Sequence, residues 1–104
     1  MANAQQPYFE NGKWWMDVDP DDQNYIVADV TKDLTDRATA ATSVTTVVAG
    51  VTVLEDAVVQ GSLMVAKVTI DIEANVAAPV CTFRVTCANT ERFDRTVWFK
   101  LEDH

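Results

Sequence analysis

The sequence predicts an all-β fold, a two-sheet antiparallel β-sandwich of about seven strands. Three observations carry this. Val, Ile and Thr supply 31 of the 104 residues, and these β-branched side chains suit a pleated surface while crowding a helix. Apolar residues recur with period two in the strongest segments, giving each an apolar and a polar face. Helical periodicity is almost lacking, so the cover for an apolar sheet face has to be a second sheet. A small closed barrel satisfies the same strand patterns and stays open as an alternative.

From the N-terminus, residues 1–25 read as an arm and residues 26–104 as the sandwich domain. In the arm, Asn11-Gly12 lies between Tyr8-Phe9-Glu10 and Lys13-Trp14-Trp15-Met16, a short-range hairpin signal. Asp17 through Asp22 form a polar break. Asp29 through Leu34 and Ser43 through Val48 are expected to be extended, with room for one helical turn after Asp36, which is suited to cap it. Val51–Leu54 and Ala57–Gln60 are short strand candidates separated by a tight turn at Glu55-Asp56.

Farther on, Met64, Ala66, Val68, Ile70 and Ile72 alternate with polar or charged Lys67, Thr69, Asp71 and Glu73. Residues 74–79 are placed to carry the chain from one sheet to the other, Pro79 being tolerated where a strand starts. Cys81, Phe83, Val85 and Cys87 then share one face of a half-buried strand. Phe93, Val97, Phe99 and Leu101 repeat the pattern, with Arg95 able to reach out from the strand's start. The intervening Ala88–Arg92 is short enough for a hairpin loop, which makes the last two strands neighbours.

Composition narrows the function. Sixteen acidic residues against 8 Lys and Arg give a formal charge of −8, and the cations are scattered, which disfavours nucleic acid. No apolar run is long enough to span a bilayer as a helix, and the polar start is unlike a signal peptide. Neither a membrane nor a nucleic-acid partner is expected. Cys81 and Cys87 are six residues apart on one strand, about 20 Å at roughly 3.3 Å per residue, too far for a disulfide. Buried, reduced thiols are expected instead.

Asp17, Asp19 and Asp21 imitate the start of a calcium loop, but Ala28 stands where its bidentate Glu belongs. His104, the only histidine and the last residue, is a poor general base and equally consistent with the stub of a purification tag. Asp29, Asp33 and Asp36 are read as solvated charge. No catalytic, cofactor-binding or metal-binding residue is assigned, and no enzymatic activity is expected. A small-molecule or glycan ligand is not favoured.

The candidate contacts are aromatic. Tyr8, Phe9, Trp14, Trp15 and Met16 form either a cap folded back on an open end of the sandwich or an arm that docks on a neighbouring subunit, because large rings carry binding energy at interfaces. Trp98 joins them: if Phe99 points inward, Trp98 points outward, covered by a neighbouring strand, the N-terminal hairpin or a long side chain unless it is bare for a ligand.

Ala28-Asp29-Val30-Thr31-Lys32-Asp33-Leu34, Val48-Ala49-Gly50-Val51-Thr52-Val53 and the stretch from Thr86 to Thr96 together resemble small tailed-phage and prophage virion-associated proteins with an immunoglobulin-like sandwich. The likeness covers the chain from Ala28 onward. In that group the loop of the last hairpin often holds glycine, where this chain has Thr90. The resemblance implies a structural or decoration protein of a head, connector or tail. Such a protein is made in the bacterial cytoplasm, and binds copies of itself and other virion proteins. The alternative it leaves open is a fibre module that binds a carbohydrate or a host protein.

Overall fold

Alternating side chains build two sheets that pack face to face over one core. The computed structural model describes residues 4–5, 7–18, 23–71, 74 and 78–101. Among these are β1 (Ala4–Gln5), β2 (Tyr8–Glu10), β3 (Lys13–Val18), β4 (Gln23–Asp29), α1 (Thr31–Asp36), β5 (Ala41–Ala49), β6 (Val51–Gln60), β7 (Leu63–Ile70), β8 (Val80–Cys87) and β9 (Arg92–Leu101). One sheet has the order β1-β4-β7-β6 and the other β2-β3-β9-β8-β5. Asp19, Asp21, Ile72, Glu73, 75–77 and His104 lie outside the described residues.

The two strongest period-two segments form the centre. Met64, Ala66, Val68 and Ile70 of β7 face Cys81, Phe83, Val85 and Cys87 of β8 across a core that also takes Ile26, Val97 and Phe99. Apolar burial of this kind contributes roughly 1.5–3 kcal/mol for each large side chain. The chain changes sheets at Gly50, the single residue between β5 and β6, whose φ of +71° suits a residue without a Cβ. It changes sheets again between β7 and β8, where the sequence places the crossover.

The structure departs from the expectations at several places. The N-terminal aromatic segment forms its hairpin about Asn11-Gly12, but its second strand is not outside the sandwich. β3 pairs in parallel with β9 from Trp14↔Val97 to Val18↔Leu101, and Met16 and Val18 enter the core. Both sheets are therefore mixed, since β1 also pairs in parallel with β4. The boundary read between residues 25 and 26 falls inside β4.

The helix lies earlier than expected, over Thr31–Asp36 rather than after Asp36. The Asp29 carboxylate accepts hydrogen bonds from the Thr31 amide and hydroxyl, starting the turn, and Leu34 anchors it in the core. Finally, Glu55-Asp56 is no turn. β6 runs continuously through it and absorbs the polar pair as register shifts between Val53 and Val58.

Candidate functional site

Strand alternation sorts the aromatic candidates onto different surfaces. Val97 and Phe99 are buried, so Trp98 points away from the core; Met16 is buried, so Trp15 does the same. Register then aligns Tyr8, Trp15, Trp98, Val80 and Ala49 as one row crossing all five strands of the larger sheet. The Trp15 and Trp98 rings are 6.4 Å apart and tilted by 41°. Lys13 Nζ sits 4.6 Å from the Trp98 ring centre and 6.0 Å from that of Trp15, so a long side chain of the hairpin covers the tryptophan.

The polar ends of this row are tied down. Trp15 Nε1 donates to the Glu10 carbonyl at 3.1 Å, and the Tyr8 hydroxyl donates to Asp17 Oδ1 at 2.6 Å. Rings held in this way lose little freedom when a partner covers them. Val47, Thr82 and Thr96 form an adjacent row, with the two threonine hydroxyls 3.0 Å apart.

Charge is distributed unevenly. The same face carries Lys13, Arg84, Arg92 and Lys100, half of the chain's 8 cations, against Glu10, Asp17 and Asp94. Four cations against three carboxylates leave +1 here, so the remainder carries −9 of the total −8. Arg84 and Asp94 are 3.9 Å apart, whereas Lys13, Arg92 and Lys100 make no ion pair among the described residues.

Trp14 and Phe9 lie elsewhere. Phe9 is 61% exposed and meets Trp14 edge-on, with ring centres 5.3 Å apart. Beside them, a cleft of about 230 Å³ between the two sheets is lined by Pro7, Trp14, Val27, Asp29, Arg95 and Val97. Arg95 does not reach out into solvent: it shares the inward phase of β9 and its guanidinium stacks 4.7 Å from the Trp14 ring centre. It donates to Asp33 Oδ2 at 2.6 Å and to the Asp29 carbonyl at 3.2 Å. This arginine fastens α1 to β9 and β3.

Met16, only 1% exposed, offers no surface to any partner and is a core residue. The acidic residues near α1 have structural employment: Asp33 binds Arg95, and Asp36 pairs with Lys32 at 3.0 Å. The Thr31 hydroxyl, then its amide, and the nearby Arg95 charge hold the Asp29 carboxyl below the usual range against the opposing effect of burial. Cys81 and Cys87 are both buried and unbonded, and burial pushes the Cys81 thiol up to about 12. Among the described residues, no group of three or more His, Cys, Asp or Glu side chains comes together to hold a metal ion.

Lys13 and Val47 were missed by sequence reasoning. Lys13 alternates in phase with Trp15, a signal that it shares the tryptophan face. Compared with known proteins, the chain matches no family model, no curated protein and no solved structure.

Proposed function

We propose that the chain is a structural assembly protein whose five-stranded sheet docks, through its outer face, on the acidic surface of the next copy. The observation that carries this is the row Tyr8-Trp15-Trp98-Val80-Ala49 on a face of charge +1, in a molecule otherwise strongly acidic. A basic aromatic patch and an acidic remainder are complementary between copies, which favours a head-to-tail contact and closed rings.

The setting proposed is the virion of a tailed phage or prophage, on head, connector or tail, and it rests on the resemblance described above. Strand order supports the immunoglobulin-like form of the sandwich. The orders β4-β7-β6 and β5-β8-β9 correspond to B-E-D and C-F-G of that arrangement.

Sedimentation velocity of the full chain over a range of concentrations tests the contact. The chain is expected to sediment above the mass of one copy, and Trp15→Ser with Trp98→Ser to weaken association at least about tenfold, equivalent to roughly 1.4 kcal/mol. Added salt should weaken it too. A single-copy mass at every concentration, or a tryptophan variant that associates as well as the native chain, overturns the reading.

One observation favours a second reading. Exposed Phe9 beside Trp14 and the Arg95 cleft suits a fibre module that stacks a sugar ring, or grips a host protein, on an aromatic edge. Such a chain stays monomeric, and its tryptophan fluorescence responds to added oligosaccharide through Trp14.

A further inference from the structure

A sheet that does not close on itself ends in strands whose outward N–H and C=O groups lack a neighbouring strand, and natural proteins protect such edges. Among the described residues, four strands end the two sheets: β1, β6, β2 and β5. Three of them carry a recognised protection. β1 and β2 have only 2 and 3 residues. β6 is long, but its pairing is broken by register shifts and it bears Glu55 and Asp56 where the ladder is irregular.

β5 carries none of these. Its nine residues, Ala41-Thr42-Ser43-Val44-Thr45-Thr46-Val47-Val48-Ala49, include no charge, proline or glycine. Its one irregularity lies at the start, between Ala41 and Ser43, after which the ladder to β8 is unbroken to Ala49. Val44 through Val48 are all β-branched, and Val47 is 48% exposed. An uncharged, regular strand of this composition is a template for another strand.

We propose that β5 pairs antiparallel with β5 of a second copy about a two-fold axis, joining two five-stranded sheets edge to edge. Charge selects the edge. Two chains of −8 each repel, and an edge-to-edge contact brings strands to about 4.8 Å. Self-pairing through β6 would set Glu55 and Asp56 against their own copies, whereas β5 opposes only Thr, Ser, Val and Ala. Behind it, Arg84 is opposite Thr45 and is partnered by Asp94, so the next strand adds little net charge. Asp56, which shares a shallow depression with Val44, Thr45 and Thr46, belongs to β6 in the facing sheet. A two-fold contact is self-complementary, as one repeated edge requires. The pairing rests on this edge and not on the tryptophan face.

Amide hydrogen exchange of the full chain, followed residue by residue at several concentrations, tests the proposal. Every second β5 amide points away from β8. These amides should become at least tenfold more protected as concentration rises, with β2 and β6 unchanged, and added salt should strengthen the effect by screening the mutual repulsion. Thr45→Lys with Val47→Lys should abolish the concentration dependence. Trp15→Ser with Trp98→Ser should leave it intact, which separates failure of this pairing from failure of the aromatic contact. Exchange independent of concentration overturns the proposal, whether β5 is unprotected throughout or covered within one chain. That result comes from the native chain and does not depend on the lysine variant folding. Protection that survives the lysine pair in a folded variant overturns it as well.

Discussion

The outer faces of the two sheets use the same pair of groups, a lysine over an aromatic ring, and end in different states. On the four-stranded sheet, Lys67 Nζ lies 5.4 Å from the Tyr25 ring centre and 3.6 Å from Glu55 Oε2, and the Tyr25 hydroxyl donates to that oxygen at 3.2 Å. The three residues come from three strands and close on themselves. On the five-stranded sheet, Lys13 lies on Trp98 and Trp15 without an ion-pair partner among the described residues. A face whose charge is answered internally gains little from a partner; a face with an unanswered cation over two large rings gains more. The same local chemistry closes on itself in one sheet and, among the described residues, is left without an ion pair in the other.

The comparison needs β3 to be an integral strand, and Met16→Ala is its most severe test. Removing a buried methionine side chain costs about 2–5 kcal/mol, read as a lower urea midpoint at unchanged slope. Thiol labelling of Cys81 should rise in parallel, since that thiol reacts only when the core opens. An arm that merely docks on a neighbour predicts a midpoint unchanged in the isolated chain, so an unaffected midpoint breaks the comparison. Cutting away residues 1–16 is a blunter experiment, because it deletes β2 and most of β3 and leaves β9 as an edge.

The hairpins of the two sheets differ in the same way and give a smaller effect. The β6–β7 turn places Gly61 at φ +63°, whereas the β8–β9 turn places Thr90 at φ +71°. The second turn is held by the Cys87 amide donating to the Glu91 carbonyl at 2.8 Å and by the Asn89 side chain accepting from the Glu91 amide at 3.1 Å. A β-branched residue in this left-handed region is strained by roughly 1–2 kcal/mol, part of which glycine returns as chain entropy. Thr90→Gly is therefore expected to stabilise the chain by about 0.5–1 kcal/mol in urea or thermal melts. A loss of stability would show that Thr90 contributes contacts worth more than its strain.

Legibility in the sequence followed the range of the interaction. The inward faces of β7 and β8 were readable because period two is local and both strands are buried on one side. So was the Asn11-Gly12 turn, where both residues take positive φ. The partner of β3 was not readable: alternation tells which way Met16 points, not that β9, at the other end of the chain, lies beside it. Val30 and Thr31 look like strand residues, and only the bonds from Thr31 to the Asp29 carboxylate and the burial of Leu34 make the helix win. Glu55-Asp56 has turn composition, yet a strand edge can absorb the same pair as a bulge. In the candidate site, the outward direction of Trp98 followed from Phe99, but its alignment with Trp15, Tyr8 and Val80 depends on register across three strand pairings. No window of sequence contains that.

The smallest effect gives the closest test of the two faces. Glu55→Gln removes the carboxylate that answers Lys67 and leaves a side chain of the same shape, so the four-stranded face acquires an unpaired lysine over a tyrosine ring. The pair is partly exposed, with Lys67 and Glu55 side chains 25% and 57% accessible, and screening limits its worth to about 0.2–1 kcal/mol. Stability should fall by no more than that. Sedimentation should be unchanged, because a single tyrosine supplies far less apolar contact than the Trp15–Trp98 pair. If Glu55→Gln promotes association as strongly as the tryptophan substitutions reduce it, an unanswered lysine is by itself sufficient to recruit a partner. The aromatic row would then lose its special role.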